Sequence, residues 1–171
     1  MKYYNVNETK KLMLQALREA FPGVRFYVKK DGNSLRVRWV DGPSKEQVNR
    51  IAQVFAGETF DGMTDLRESV RRVDSKTGKP VSLLTSFIFT DRAFSAAAVE
   101  AIRQELVDRT GCKDWPFREP YGWPKSTQGA KIPGFPYECR GWERVLSEIL
   151  DSTIFGEVKE SPTANRFREG A

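Results

Sequence analysis

The segment Val24–Pro43 constrains the fold more than any other part of the 171-residue chain. It consists of two runs of alternating apolar and polar residues joined by Asp31-Gly32-Asn33, a connection typical of a tight β-hairpin. Successive strand side chains point to opposite faces, so the pattern predicts one apolar face and one basic face. The apolar face holds Val24, Phe26, Val28, Leu35, Val37 and Trp39, and the basic face holds Arg25, Tyr27, Lys29, Arg36 and Arg38.

Three helices are predicted around this hairpin from apolar residues at helical spacing. The first covers residues 7–20 and has Asn7 as its N-cap. The second begins after Ser44, which is expected to form a capping box with Gln47, and it ends before Gly57. The third covers residues 91–109 and begins at Asp91 or Ser95.

Two further strands complete the predicted sheet. The run Val81–Thr90 contains few polar residues, which predicts a central strand buried on both faces. Residues 66–73 are interpreted as its hairpin partner, and residues 58–65 as a compact acidic loop. The resulting order αββαββα predicts an α+β fold, in which an antiparallel sheet of about four strands has helices packed on one face.

The composition changes after residue 110. Residues 111–137 contain five of the nine prolines and six aromatic residues, which predicts an irregular arm. A short helix over residues 142–150 and a polar, frayed tail from Glu157 are expected to follow. The predicted domains are therefore residues 1–110, and residues 111–171 as an arm and C-terminal helix packed on the first domain.

The composition also excludes several kinds of site. The chain contains no histidine, which excludes Ser-His-Asp and Cys-His catalysis and histidine zinc sites. No segment is apolar enough to span a bilayer, and the first residues lack an apolar signal core, so a cytoplasmic location in the host cell is expected. Cys112 and Cys139 are then expected to be reduced thiols. The net charge of +5 is compatible with nucleic acid or an acidic protein surface as a partner, and equally with a protein that binds neither.

Four motifs indicate a known family. The sequences FPGVRFYV (21–28), SLRVRWVDGPS (34–44), FAGETFDGMTD (55–65) and FIFTDRAFS (87–95) resemble the large polyvalent-protein-associated domain that is the twenty-ninth of its set. The resemblance covers about residues 8–108, and its distinctive parts are Trp39-x-Asp41-Gly42-Pro43 and Phe60–Met63. It implies a phage or conjugative-element protein, in a setting where anti-restriction modules are common. It transfers no catalytic residue.

Two basic groups are candidate binding surfaces. The basic face of the hairpin suits phosphate contacts with Tyr27 stacking on a base, and it equally suits an ordinary solvated sheet face. In the arm, Trp115, Tyr121, Trp123 and Lys125 suit single-stranded nucleic acid or a protein interface, and core packing is an open alternative. The predicted binding residues are Arg25, Tyr27, Lys29, Arg36, Arg38, Trp115, Tyr121, Trp123 and Lys125.

Two smaller groups have weaker functional interpretations. Asp61 and Asp65, with Glu58 nearby, have the oxygen ligands that a magnesium-dependent nuclease needs, but the same residues suit a turn. Arg67, Arg71 and Arg72 form a basic cluster that also suits a charged edge strand.

The leading hypothesis is a non-catalytic accessory protein of a phage or plasmid. It would act in counter-defence, of the anti-restriction or anti-CRISPR type, by binding a host defence protein or a protein–nucleic-acid complex. The alternative is direct DNA or RNA binding in element replication or transfer, and a metal-dependent nuclease is a third possibility. No cofactor, metal, membrane contact or small-molecule substrate is expected.

Overall fold

The predicted hairpin is present in a computed structural model of the chain, which describes residues 1–63, 66–110, 117–118, 123–124 and 148–169. The chain divides into two compact units. The first unit comprises Met1–Ala93 and Phe155–Ala171, and the second comprises Phe94–Ile154. The predicted domain boundary at residue 110 stays a prediction.

The secondary structure alternates between short strands and helices. The helices are α1 (Val6–Ala20), α2 (Lys45–Ala52) with a 3-10 turn after it (Gln53–Phe55), α3 (Ala96–Thr110), α4 (148–152) and α5 (Pro162–Asn165). The strands are β1 (Lys2–Tyr4), β2 (Tyr27–Asp31), β3 (Ser34–Val40), β4 (Glu58–Asp61), β5 (Leu66–Ser69), β6 (Arg72–Asp74), β7 (Lys79–Leu83), β8 (Ile88–Ala93), β9 (Phe117–Arg118), β10 (Trp123–Pro124) and β11 (Phe167–Glu169).

The strands of the first unit form three sheets within the described residues. One has the order β1-β7-β6-β11 and is parallel only between β1 and β7. Another has the order β2-β3-β8, antiparallel between β2 and β3 and parallel between β3 and β8. Strands β4 and β5 pair as a separate antiparallel ribbon. The α+β class is confirmed, and the strands of the first unit are divided among two mixed sheets and one antiparallel ribbon instead of forming one antiparallel sheet.

The single strand predicted at residues 81–90 is two strands in the structure. β7 and β8 belong to different sheets, and this separates the two sheets from each other. The connector between β7 and β8 is held by backbone hydrogen bonds from three directions: Leu84 donates to Tyr4 (2.9 Å), Gly57 donates to Thr85 (2.6 Å) and Ser86 donates to Asn33 (2.8 Å). The apolar pattern continues across the connector because both strands are partly buried. Periodicity alone therefore did not reveal where one sheet ends and the next begins.

The apolar face of the hairpin lies against the helices and forms part of the core. Leu35 and Val37 are fully buried, and Trp39 is nearly so. The buried core also includes Met13, Ala16, Leu17 and Ala20 of α1, Val48 and Ala52 of α2, and Phe55. The inward and outward assignments predicted for β2 and β3 are thus confirmed, and the basic face of the hairpin points away from the core.

The helix starts were predicted with mixed success. Ser44 accepts a hydrogen bond from the Gln47 amide (3.2 Å), and Gln47 accepts one from the Ser44 amide (3.0 Å), which confirms that capping box. The predicted cap at Asn7 is wrong because α1 begins at Val6, and its cap is Asn5, two residues before Asn7, which forms the capping box with Glu8.

Other predicted boundaries are corrected as well. The predicted acidic loop at 58–65 contains strand β4, which pairs with β5. The predicted strand at 66–73 is interrupted between β5 and β6. Helix α3 begins at Ala96 and is capped by the Ser95 hydroxyl, which accepts from the Ala98 amide (3.1 Å), while Asp91 belongs to β8.

The polar tail is ordered, which contradicts the predicted frayed end. Strand β11 pairs with β6, and Phe167 is only 2% exposed. Its ring makes edge contacts with Tyr4 and Phe55, both at 5.7 Å between centroids. The tail therefore supplies a strand and a core side chain to the first unit.

Two carboxylates of the first unit hold this tail. Glu19 of α1 accepts hydrogen bonds from the Ser161 hydroxyl (2.9 Å) and from the Thr163 amide (2.9 Å) and hydroxyl (2.7 Å). Asp74 of β6 accepts two hydrogen bonds from the Arg166 guanidinium, at 2.9 and 2.5 Å. Both carboxylates are far from the tail in sequence, so local patterns gave no sign of these contacts.

The second unit contains α3, the paired strands β9 and β10, and α4. Strands β9 and β10 form a two-residue antiparallel ladder inside the segment that was predicted to be irregular. The predicted helix over residues 142–150 is found at 148–152. Residues 142–147 lie outside the described part of the chain.

Candidate functional site

The outer face of the three-stranded sheet combines basic and aromatic side chains. Strand register places Tyr27, Arg38 and Asp91 in one row across the sheet, and Lys29, Arg36 and Phe89 in the next row. We call this surface the basic-aromatic face, and its members are Arg25, Tyr27, Lys29, Arg36, Arg38, Phe89 and Asp91. The structure thus brings together all five hairpin residues predicted from sequence and adds two from β8.

Two aromatic rings on this face are open to solvent. Tyr27 is 54% exposed and Phe89 is 49% exposed, so both rings are accessible to a ligand. Each ring has a guanidinium beside it, since Arg25 lies 5.3 Å from the centroid of Tyr27 and Arg36 lies 5.6 Å from that of Phe89. Cation–π contact orients these arginines along the rings and leaves their charge available.

A single carboxylate is shared by the two central arginines. Arg36 Nη1 donates to Asp91 Oδ2 at 3.1 Å, and Arg38 Nε lies 3.6 Å from the same oxygen. All three side chains are substantially exposed, so these ion pairs contribute little to stability. One carboxylate leaves the pair of guanidinium groups with a net positive charge, and Arg25 and Lys29 form no ion pair with a carboxylate among the described residues.

The face is not uniformly basic. Asp31, at the hairpin end, shares the sheet side of Tyr27 and Lys29 and adds a second carboxylate. Four cations therefore stand against two carboxylates on this side of the sheet. The balance is positive but moderate, so shape and aromatic contacts must contribute to any recognition here.

A depression of about 380 Å³ lies on the face. Tyr27 and Arg38 line it together with Val40 and Ala93, and Asp91 contributes an acceptor at its edge. Ala93 pairs with Val40 in the sheet register, and its small side chain keeps this part of the surface low. The depression has the walls that a flat aromatic or heterocyclic ring requires.

The basic and aromatic surface continues toward the ribbon β4–β5. Arg67 of β5 lies 5.3 Å from the centroid of Phe87, and the Phe87 ring lies 6.4 Å from that of Phe89. Phe60, opposite Arg67 in the ribbon, is 53% exposed. Of the predicted basic cluster, only Arg67 joins this surface. Arg72 is buried and donates to the Gln53 carbonyl (3.1 Å).

Sequence reasoning missed the contribution of β8 because it assigned residues 81–90 to a strand buried on both faces. The available signal was the alternation of Phe87, Phe89 and Asp91 with Ile88 and Thr90. Residues two apart along a strand share one face, so a charged residue two positions after two alternating aromatic residues indicates that all three face outward. That signal was lost when Asp91 was interpreted as a helix cap.

The remaining predicted binding residues belong to the second unit. Trp115, Tyr121 and Lys125 lie outside the described residues. Trp123 belongs to β10, where its backbone pairs with Arg118. Their role in binding stays a prediction.

The proposed metal site of the acidic loop gains no support from the described part of the chain. No group of three or more His, Cys, Asp or Glu residues there is placed to hold a metal ion. Asp61 is the last residue of β4, Asp65 lies outside the described residues, and Glu58 lines a separate cavity. A nuclease at Asp61 and Asp65 therefore stays an untested hypothesis.

Comparison with known families shows the family to which the chain belongs. Residues 4–95, just over half of the chain, match the family large polyvalent protein associated domain 29. The chain belongs to this family. The match thus runs from the last residue of β1 through β8 and includes the whole basic-aromatic face, while strand β11 lies beyond it. Neither a curated protein nor a solved structure matches the chain.

The segment Trp39–Pro43, which lies within the family match, forms a structural turn after β3. Trp39 is buried and donates from Nε1 to the Pro43 carbonyl (3.0 Å). Asp41 and Gly42 have φ angles of +54° and +64°, a region that glycine adopts readily and aspartate tolerates. The Arg92 guanidinium donates to both of their carbonyls, at 3.2 and 2.9 Å. The segment fixes the chain path at the end of the face.

The family is associated with polyvalent proteins of phages and mobile elements. Among the helices that the structure describes, none is both long enough and apolar enough to cross a membrane.

Proposed function

We propose that this domain is a non-catalytic binding module that holds single-stranded nucleic acid across the basic-aromatic face. The observation that carries the proposal is the pair of exposed rings, Tyr27 and Phe89, on either side of the arginines of β3. The two rings stand on the outer strands of the sheet in adjacent rows, so their Cα atoms are about 12 Å apart, the diagonal of two strand spacings and two residues along the strand. The arginines between them are in place to contact the connecting phosphates.

Unpaired bases suit this face better than a duplex does. Bases in a duplex are stacked on each other and present only their edges, whereas single strands offer base faces to aromatic side chains. The shallow depression beside Tyr27 supports the same ligand because it admits a flat ring. The moderate positive charge supports binding that depends on both stacking and salt.

Titration of fluorescently labelled DNA at two salt concentrations tests the proposal. We expect a single-stranded oligonucleotide to bind more tightly than a duplex of the same sequence, and its affinity to fall as salt rises. Lys29→Gln should reduce the slope of log affinity against log salt by about 0.7, the value for one phosphate contact on a single strand. Lys45→Gln, which removes an exposed lysine on α2, is the matched control and should leave the slope unchanged. Absence of binding at low salt contradicts the proposal.

A counter-defence role, of the anti-restriction or anti-CRISPR type, is the second candidate function. It is supported by the family's association with mobile elements and by Val40, which is 52% exposed at the edge of the face. Exposed Tyr, Arg and apolar side chains in one patch are typical of the centre of a protein interface. The face would then contact a host defence protein, or the nucleic acid that such a protein holds.

Inhibition assays separate this role from simple nucleic-acid binding. A purified restriction or CRISPR effector should lose activity on adding the protein, and added competitor oligonucleotide should not restore it. Full activity at a large excess of the protein contradicts a direct counter-defence role.

A further inference from the structure

An open cavity of about 520 Å³ lies where the three sheets of the first unit meet. It is formed by the start of α1, the end of the β2–β3 hairpin, the base of the β4–β5 ribbon and the β7–β8 connector. Gly57 makes this junction possible because a Cβ there would stand 1.9 Å from the Leu83 carbonyl oxygen. The volume lies within the range of small-molecule sites, about 300–1,000 Å³.

Two side-chain oxygens at this cavity have no hydrogen-bond partner among the described residues. One is Oε2 of Glu58, and the other is Oγ1 of Thr85, a residue that is fully buried. A buried acceptor without a donor is unfavourable, and a carboxylate oxygen more so than a hydroxyl. Both oxygens are therefore suited to a ligand that brings hydrogen-bond donors.

The rest of the lining describes the ligand further. Lys30 and Glu58 are the charged residues among the described side chains that line the cavity, so its formal charge is balanced. Apolar walls come from Val6, Val70, Leu83 and Leu84, and polar side chains from Asn7, Asn33, Ser69, Ser82 and Ser86. Most of the lining is polar, and hydrogen-bonding side chains around a few apolar contacts suit a small, neutral heterocycle with several donors and acceptors, such as a nucleobase.

The cavity adjoins the basic-aromatic face. Ser86, in its lining, precedes Phe87, and Asn33 precedes Ser34 of β3, while Lys30 follows Lys29 of the face. The Ser86 amide donates to the Asn33 carbonyl (2.8 Å), which fixes these two edges of the cavity against each other. Lys30 points to the opposite side of β2 from Lys29, so a strand held on the face would have to pass around the hairpin end to reach the cavity.

We propose that this cavity binds one nucleobase that carries an exocyclic amino group, from a strand held on the basic-aromatic face. The inference rests on the proposed function and specifies the ligand further. A carboxylate oxygen accepts hydrogen bonds only, so Oε2 of Glu58 favours an amino group and repels a carbonyl oxygen at the same position. Cytosine has an amino group where uracil has a carbonyl, so the site prefers cytosine to uracil and thymine.

Free nucleosides test the cavity separately from the face. Cytidine and uridine differ at this one exocyclic group, and titration of each into the protein by NMR gives two dissociation constants. We expect cytidine to bind about tenfold more tightly than uridine, the size of one good base-specific contact. Glu58→Gln should reduce this preference to about threefold or less, because a glutamine amide both donates and accepts. Glu68→Gln removes a carboxylate from the opposite side of the same ribbon and should leave the preference unchanged.

A second variant separates loss of nucleoside binding from loss of folding. Thr85→Val keeps the shape of the side chain and removes the unpartnered hydroxyl, so it should weaken cytidine binding while the unfolding midpoint stays at or above that of the wild type. The proposal is overturned if neither nucleoside binds at millimolar concentration, if both bind equally, or if Glu58→Gln and Glu68→Gln give the same ratio.

Oligonucleotides distinguish failure of this inference from failure of the proposed function. If single strands bind through the face but Glu58→Gln leaves the preference for oligo(dC) over oligo(dT) unchanged, the cavity assignment is wrong and the face assignment stands. If cytidine binds in a Glu58-dependent manner but no oligonucleotide binds, the cavity is a nucleoside site and the proposed function is wrong.

Discussion

Arginine–aspartate pairs occur in two regions, and their geometry differs. One pair, Asp74 with Arg166, holds the C-terminal tail and is called the tail anchor here, and the other, Asp91 with Arg36 and Arg38, lies on the basic-aromatic face. In the tail anchor, one guanidinium serves one carboxylate with two hydrogen bonds, and the Asp74 side chain is 3% exposed. On the face, one carboxylate is shared by two guanidinium groups at 3.1 and 3.6 Å, and the Asp91 side chain is 45% exposed. The comparison distinguishes a pair that holds the fold from arginines that remain available for a ligand.

The hydrogen bonds that hold the tail also lower the pKa of its two anchoring carboxylates. The hydrogen bonds from Arg166 outweigh the opposing effect of burial and lower the pKa of Asp74 to about 2. At Glu19, partial burial raises the pKa, but the hydrogen bonds from Thr163, Ser161 and Gln15 together leave it below its ordinary value. Both carboxylates therefore stabilise the tail in their ionised form.

The largest expected effect concerns the aromatic side chains of the two regions. Phe167→Ala should lower the free energy of unfolding by about 3–5 kcal/mol, since it removes a buried ring from the core. Phe89→Ala should change it by about 0.5 kcal/mol or less, because its ring is half exposed. Urea denaturation measures both. Equal losses of stability would show that Phe89 belongs to the core and would remove the distinction between the two regions.

A pH-dependent effect is expected for the tail anchor alone. The pKa of Asp74 is about 2 when folded, against an ordinary value of 3.8, so the unfolded chain binds more protons between these values. Stability from this pair is therefore fully present above about pH 4 and is lost as the pH falls through about 2.

Variants at the two aspartates measure this difference. Asp74→Asn should lower the urea midpoint at about pH 6 and have a clearly smaller effect at about pH 2.5. Asp91→Asn is the matched control, with little effect on the midpoint at either pH. A loss for Asp74→Asn that is the same at both pH values would contradict the assignment of Asp74 as the ionised anchor of the tail.

A smaller effect is expected when the shared arginines are neutralised. The double variant Arg36→Gln/Arg38→Gln should weaken single-strand binding about tenfold at low salt and reduce the salt slope by about 1.4, two phosphate contacts on a single strand. Its free energy of unfolding should stay within about 1 kcal/mol of the wild type, because exposed ion pairs contribute little. Fluorescence anisotropy and urea denaturation on the same samples measure both quantities. A large loss in the free energy of unfolding with unchanged single-strand binding would show that these arginines stabilise the fold and do not contact the ligand.

The smallest expected effect is a gain. Asp91→Asn removes the carboxylate that Arg36 and Arg38 share, so both guanidinium groups become more available and single strands should bind a few-fold more tightly. Anisotropy at low salt measures this gain. Weaker binding would indicate that Asp91 itself contacts the ligand or that it holds the arginines in the required position.

The parts of the fold that sequence predicted are those that depend on neighbouring residues. The alternation around Asp31-Gly32-Asn33 specified the hairpin and which side chains point outward, because strand period and turn chemistry are local. Ser44 and Gln47 specified a helix start for the same reason. These local features are enough to predict five of the seven members of the basic-aromatic face.

The parts that sequence did not predict depend on distant partners. Glu19 binds Thr163, 144 residues away, and Phe167 enters a core formed mostly by the N-terminal half of the chain. The polar composition of the tail was a poor guide because one buried aromatic residue and two anchoring carboxylates order it. Asp91 shows the same limit at the site, since its parallel pairing with β3 brings it beside Arg36 and Arg38.

The most direct test of the account is the effect of the exposed rings on single-strand binding. The double variant Tyr27→Ala/Phe89→Ala should weaken binding of a single-stranded oligonucleotide by at least about tenfold at low salt, since stacking on each ring contributes roughly 1–3 kcal/mol. Tyr3→Ala, which removes an equally exposed ring from β1, should leave the affinity unchanged. Equal affinities for the wild type and the double variant would contradict the claim that this face binds nucleic acid.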